Sequence, residues 1–181
     1  MIQKRLTFAL VACVAAVVSA WAVAGISVAA QAGAADRPDL SGQWQLNRDL
    51  SEDAQAKFAS MGGGGQHGGG RGHEVEETRN LIVNAPTRLV VAQDDQKVVL
   101  TDADGHVRTL PTNNRKVQID GRDVRTKWQN NRLISETTIG DAKLVESYER
   151  SPDGRQLIVT VGAEMQGERM SVRRVYDALK E

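Results

Sequence analysis

Asp120–Gly154 reads DGRDVRTKWQNNRLISETTIGDAKLVESYERSPDG. Four turn signals, Asp120-Gly121, Asn130-Asn131, Gly140-Asp141 and Ser151-Pro-Asp-Gly154, enclose three runs of alternating character. Tight hairpins need φ > 0, which Gly, Asn and Asp tolerate best. In the first run Val124, Thr126 and Trp128 oppose Asp123, Arg125 and Lys127. Period two with one apolar face is the pattern of a strand buried on one side and wet on the other.

The rhythm continues in both directions. Asp94-Asp95, Asp102-Ala-Asp-Gly105 and Asn113-Asn114 precede the quoted stretch, and a Gly162–Gly167 turn follows it. Candidate strands are Arg88–Ala92, Lys97–Thr101, His106–Leu110, Lys116–Ile119, Asp123–Trp128, Leu133–Ile139, Lys143–Glu149, Gln156–Val161 and Arg169–Tyr176. Strands on such short connections form an antiparallel meander, and a long meander closes on itself to remove its edges. The expected fold is all-β, an up-and-down antiparallel barrel.

Before the meander, Ser41–Asn47 reads as a further strand with Trp44 and Leu46 on one face, which brings the count to ten. Leu50–Met61 has helical spacing at Ala54, Phe58 and Met61, with Ser51 as the expected N-cap. Gly62–Gly72 contains eight glycines and no apolar residue, so it is expected to be a flexible surface loop. Glu74–Val83 is compatible with a second helix, although Leu81-Ile-Val83 could equally begin a strand. The barrel therefore carries a short helical, Gly-rich insertion after its first strand.

Lys4 and Arg5 precede an apolar run, Leu6–Ala30, which ends in the small-x-small sites Ala30-Gln-Ala32 and Ala32-Gly-Ala34. That is the pattern of a secretory signal peptide, residues 1–32, cut after Ala32 or Ala34. Residues 33–40 then form a linker and 41–181 the barrel domain, with 62–72 as its loop. The apolar run is long enough to span a bilayer, so an uncleaved segment would be the one membrane contact. Leu10-Val-Ala-Cys13 resembles a lipobox, but the chain stays apolar beyond Cys13, where a lipid-anchored cysteine should meet a polar tether. Cys13 is the only cysteine, so a processed chain has no disulfide and no thiol nucleophile. Without Lys4 and Arg5 the 23 basic residues become 21 against 23 acidic ones, a net charge near −2. With no basic stripe, nucleic acid is not an expected partner. The expectation is an exported monomer, periplasmic or secreted.

Gly42-Gln-Trp44 near the start of a small antiparallel barrel resembles the calycin proteins, the lipocalins and fatty-acid-binding proteins. The order of strand, helical insertion and nine further strands looks more like the fatty-acid-binding group, to whose opening Trp44-Gln-Leu46, Phe58 and Met61 are similar. The resemblance implies that Trp44 closes the barrel floor beneath a basic residue from a late strand. It also implies that Arg174-Val-Tyr176 matches an Arg-x-Tyr that grips a ligand carboxylate. The chain further resembles secreted bacterial proteins with a Ser-Gly-x-Trp start, a Gly-rich loop and a closing Arg-Val-Tyr. The signal peptide and the Gly-rich loop depart from the cytosolic binding proteins.

Arg174 and Tyr176 share a strand face with Met170 and Val172. An arginine aimed into a barrel needs an anion or a set of acceptors. That anion could be a ligand carboxylate held by Arg174 and Tyr176, with Arg150 as a second basic group. It could also be a resident partner, for which Glu146 on the Leu144–Tyr148 face is placed. In the structural alternative Gly42, Trp44 and Arg173 or Arg174 close the barrel. His67 and His73 lack a third metal ligand, and Asp102-Ala-Asp-Gly105 lacks the glutamate that would close a calcium loop, so neither metal nor cofactor is expected. The Gly-rich loop lacks the Gly-Lys-Ser/Thr of a phosphate loop. Gly-x-Ser-x-Gly and His-Glu-x-x-His are absent, and His106 is expected on the wet face with Arg108, so the chain reads as no enzyme. The leading expectation is binding of a small apolar or amphipathic molecule, such as a carboxylate. The alternative is a filled, ligand-free barrel acting through its surface. Five aromatic residues from Trp44 onward favour the filled barrel. Thr126, Ser135 and Thr137 on inner faces favour a cavity.

Overall fold

The computed structural model describes residues 37–60, 71–165 and 168–179. Ten strands alternate with short turns: β1 (Gly42–Asn47), β2 (Arg88–Gln93), β3 (Lys97–Asp102), β4 (Val107–Pro111), β5 (Asn113–Ile119), β6 (Arg122–Gln129), β7 (Arg132–Ile139), β8 (Ala142–Arg150), β9 (Gln156–Met165) and β10 (Glu168–Ala178). Two helices, α1 (Ala54–Ser60) and α2 (Arg71–Val83), lie between β1 and β2. All neighbours pair antiparallel in the order β4-β3-β2-β1-β10-β9-β8-β7-β6-β5. The result is a nearly closed, up-and-down barrel of ten strands, as the turn rhythm predicts. The ambiguous Glu74–Val83 segment is helix.

Closure depends on β1, which hydrogen-bonds to both the second strand and the last. Trp44 faces Leu89 on one side and Ala178 on the other. The barrel stays open only between β4 and β5. One residue, Thr112, separates these strands, fewer than the two residues of the tightest common hairpin loop. The chain therefore passes from β4 into β5 without folding back.

The turns follow the chemistry of their residues, with two exceptions. Between β5 and β6, Asp120 and Gly121 both adopt positive φ, 50° and 76°, as a two-residue type I′ hairpin requires. Asn113-Asn114, expected as a turn, instead opens β5. Asn114 has φ 60°, and the register against β6 shifts between Asn113 and Lys116, which marks a bulge. Gly162, expected in a turn, lies inside β9 opposite Ser171 and Val145. A Cβ there would lie 3.3 Å from the Met170 carbonyl oxygen, so the residue serves close strand approach. Ser51 does not cap α1. Asp53 does, its Oδ1 accepting from Ala56 N at 3.0 Å, because the Ser51 hydroxyl is occupied with Asn47 O at 2.6 Å and Val175 N at 2.9 Å.

Inward positions alternate along every long strand. Leu133, Ser135, Thr137 and Ile139 on β7 and Leu157, Val159, Val161 and Ala163 on β9 are buried. One end of the barrel is plugged. Trp44, 1% exposed, donates from Nε1 to the Leu40 carbonyl at 3.1 Å. Leu40 N donates to Gln93 Oε1 at 3.0 Å, and Gln93 Nε2 donates to Pro38 O at 3.1 Å. The lead-in to β1 thus folds across this end, where Leu40 and Trp44 act as a floor. Gly42 has φ 143°, and the Trp44 ring lies against it, 3.5 Å from where a Cβ would stand. A fully buried tryptophan truncated to alanine costs about 3–5 kcal/mol. Urea unfolding of Trp44→Ala should show a loss in that range, and a loss under about 1 kcal/mol would mean that the indole is no part of the core.

Candidate functional site

A cavity of about 230 Å³ occupies the half of the barrel away from the floor. Val124, Leu144, Val159 and Leu89 supply apolar wall, and Arg108, Glu146, Tyr148, Arg174 and Tyr176 supply polar groups. α2 covers this end. Its Glu77 accepts from Arg122 Nε at 2.7 Å at the start of β6, and Glu74 accepts from the Asp141 amide at 3.4 Å in the β7–β8 turn.

Arg174 on β10 is 5% exposed. Its Nη2 donates to the carbonyls of Leu81 at 3.0 Å and Ile82 at 2.5 Å. These are last-turn carbonyls of α2, which a helix leaves without internal partners. Arg174 thereby ties the covering helix to the barrel wall. Its Nη1 and Nε carry no hydrogen bond among the described residues. The Tyr176 hydroxyl is also buried; the Arg174 guanidinium is its polar neighbour, without a hydrogen bond of good geometry among the described residues. Burial pushes the Tyr176 phenol up to about 12, although the Arg174 guanidinium beside it pulls the other way. Leu46, Val172 and Arg174 also line a second, more open cavity of about 510 Å³ beside the start of α1.

Glu146 on β8 does not partner Arg174, as the sequence allows; it partners Arg108. Arg108 Nη1 reaches Glu146 Oε1 at 3.1 Å and Nη2 reaches Oε2 at 2.6 Å, a bidentate pair. The Tyr148 hydroxyl donates to Glu146 Oε1 at 3.1 Å. Burial alone would raise the Glu146 carboxyl, but the Arg108 charge and hydrogen bonds, with Tyr148 and Arg174, outweigh it and hold the group below the ordinary carboxylate range. Tyr148 is driven up from its ordinary value by burial and then by the neighbouring carboxylate. The expectation of Arg108 on the wet face is corrected here. It shares the inward face of β4 with fully buried Leu110, and period two from Leu110 was the available signal.

The structure separates the remaining candidates. The basic group over Trp44 is Arg150 of β8, its guanidinium 5.5 Å from the ring centroid. Arg150 Nη1 donates to Asp39 O at 2.7 Å and Nε to Gly154 O at 3.1 Å. Arg150 is therefore a floor residue, away from the Arg174 end. Arg173 does not pack on Trp44, because period two turns it outward from Arg174. It is exposed, and its backbone N–H donates to Glu52 Oε2 at 2.7 Å. His73 is exposed, 4.0 Å from Glu77, and His67 lies outside the described residues. Ligand atoms of Asp102, Asp104 and His106 lie within 4.8 Å of one another. Hydrogen bonds explain that cluster, since Asp102 Oδ1 accepts from the amides of Asp104 and His106 at 2.9 Å each.

Comparison with known proteins finds likeness at the level of structure. No protein-family model matches the chain. No curated protein matches it in sequence. Among solved structures, fatty-acid-binding protein 1 of Echinococcus granulosus superposes with a TM-score of 0.50 at 13% identity, covering 78% of this chain and 98% of that one. The fluorescent protein UnaG superposes with a TM-score of 0.53 at 14% identity, covering 77% and 97%. The fold is thus that of the fatty-acid-binding proteins and related calycins.

The titrating groups in the lumen contribute to both limbs of the pH–stability profile, and surface carboxylates such as Asp39 and Glu136, also held low, add to the acid limb. Glu146 has a depressed folded value, so its contribution is complete above about pH 4.3 and is lost as pH falls through that value. Tyr148 and Tyr176 have raised folded values, so their contributions are complete below about pH 10 and are lost as pH rises through those values. Unfolding free energy measured against pH should show a plateau between these limits. Glu146→Gln should make the acid limb shallower and Tyr148→Phe the alkaline one; limbs identical to wild type in both variants would refute the assignment.

Proposed function

We propose that the barrel binds a small amphipathic anion, with Arg174 and Tyr176 holding its acidic group and the apolar wall of the cavity taking its body. One observation carries this reading. Of the three guanidiniums that line the cavity, Arg108 is paired with Glu146 and Arg122 with Glu77, whereas among the described residues no carboxylate lies within ion-pair distance of Arg174. Asp102 and Asp120 also line the cavity, and Asp102 accepts from the amides of Asp104 and His106. Glu146 satisfies Arg108. Arg174 has only neutral carbonyls, and only on one of its nitrogens. A buried guanidinium with no carboxylate partner, next to a phenol that only it approaches, is an arrangement that an oxyanion completes.

The filled, ligand-free barrel is the second reading, and the carbonyl bonds of Arg174 favour it. A guanidinium that fastens a helix to a wall has a structural task without any ligand. It leaves the Tyr176 hydroxyl and the 230 Å³ of space unexplained. Protein recovered from its own compartment should carry extra mass in native mass spectrometry, released on mild denaturation. Octanoate and benzoate should bind the emptied protein. Charge-assisted hydrogen bonds contribute about 1.5–3 kcal/mol each, so Arg174→Gln should weaken octanoate binding roughly 10- to 150-fold. An apo-only spectrum that ignores both carboxylates leaves the filled barrel as the answer.

The same proposal places the protein outside the cytoplasm. Support comes from Lys4-Arg5, the apolar run Leu6–Ala30 and the Ala-x-Ala sites, the ordered parts of a secretory signal. Protein recovered from the periplasm or medium should begin at Gly33 or Ala35 by N-terminal sequencing. Recovery only from the membrane fraction, starting at Met1, would make the segment an anchor.

A further inference from the structure

Building on the reading of Arg174 as the anion anchor, we infer that the Arg108–Glu146 pair is a bar across the lumen that admits compact anions and excludes long-chain ones. The strand order places these residues almost opposite each other. β4 and β8 are six steps apart around the wall in one direction, through β1 and β10. They are four apart in the other, across the β4–β5 opening. β4 also lies against β6 across that opening, so the ion pair spans the part of the lumen between the opening and β8, with both side chains on inward faces.

The bar is held at its Glu146 end. Glu146 is buried and its two oxygens receive three hydrogen bonds, two from Arg108 and one from Tyr148. Moving it aside would leave two charges unpaired inside the barrel. Arg174 and Tyr176 line the same cavity as the bar, so a chain anchored there meets Arg108 and Glu146 in the same small space. The cavity is correspondingly small. At about 230 Å³ it falls below the roughly 300–1,000 Å³ common for ligand pockets. Beyond it the floor is packed with Leu40, Trp44, Leu110, Leu133 and Leu157, each about 1% exposed or less. A staple across the β4–β5 opening would explain the pair's contribution to stability. It would predict nothing about chain length.

Chain length is therefore the readout. In a cavity without a bar, each further methylene buried tightens binding about fourfold. Calorimetric titration of the wild-type chain with butanoate, octanoate and hexadecanoate should break that trend, with hexadecanoate at least tenfold weaker than octanoate. In the double variant Arg108→Ala/Glu146→Ala, which removes both charges together, the order should reverse, with hexadecanoate at least tenfold tighter than octanoate. Wild-type affinity that rises steadily to hexadecanoate overturns the bar while leaving the anchor intact. So does a folded double variant with an unchanged order. The wild-type series decides the matter even if the double variant does not fold. Failure of every carboxylate to bind overturns the anchor reading, and the bar with it.

Discussion

The barrel rests on the double pairing of β1. A ten-stranded meander has two edges, each a row of unpaired N–H and C=O groups. β1 supplies both partners at once, pairing with β10 from Trp44 to Asn47 and with β2 from Gly42 to Gln45. Six residues thus join β2–β4 to β5–β10 in one wall, whose remaining edges are β4 and β5. The same strand delivers Trp44 to the floor, so closure and plugging are set by one element. The helices then have one place to go. They are spliced between β1 and β2, and their tie to Arg174 on β10, the neighbour of β1, draws α2 over the end opposite Trp44. Without the β1 pairing there would be no enclosed lumen for the polar groups to face.

Inside that wall the electrostatics are uneven, and the unevenness is informative. Arg108 and Glu146 compensate each other with bidentate geometry and a tyrosine hydroxyl, which is what a buried pair needs to offset its desolvation. Arg174 is treated differently. Its neighbours are dipoles, the last carbonyls of α2, whose partial negative charge suits a cation but does not neutralise it. Two inward-facing arginines a few strands apart, Arg174 buried and Arg108 partly so, have thus been given unequal partners. An oxyanion entering the cavity would find Arg108 already committed and Arg174 with donors to spare. It would also lie within reach of Glu146, so that only a ligand held at the Arg174 end avoids repulsion from that carboxylate.

Much of the fold is legible in the residues because hairpin chemistry is local. Asp120-Gly121 can form its turn with no knowledge of the rest of the chain, and period two reports a strand's buried face directly. Legibility fails where the outcome depends on a distant partner. Asn113-Asn114 has turn chemistry but opens β5, because only Thr112 links β4 to β5. Gly162 became strand because Met170 presses against it from β10. The floor cation was sought on β10 and is Arg150 of β8, held by Asp39 and Gly154. The Arg108–Glu146 bar was missed although each residue's face was readable, since no local pattern reports pairing between strands at opposite sides of a barrel.

The position of the cavity follows from side-chain volume along the strands. A ten-stranded wall encloses a lumen whose width is fixed by strand number and stagger, so what is left empty depends on what points inward. Near the floor the inward residues are large: Trp44, Leu110, Leu133 and Leu157. Towards α2 they shrink to Thr137, Val124, Val159 and Ala163, and the long side chains there, Arg108, Glu146 and Arg174, are drawn into fixed hydrogen bonds. The shortage of aromatic residues does not by itself argue for a filled barrel. Of the five from Trp44 onward, one plugs the floor, and Tyr148 and Tyr176 both line the cavity. Small inward residues at one end and an ion pair in the middle create a space that is polar and short, which is what the proposed selection by charge and length requires.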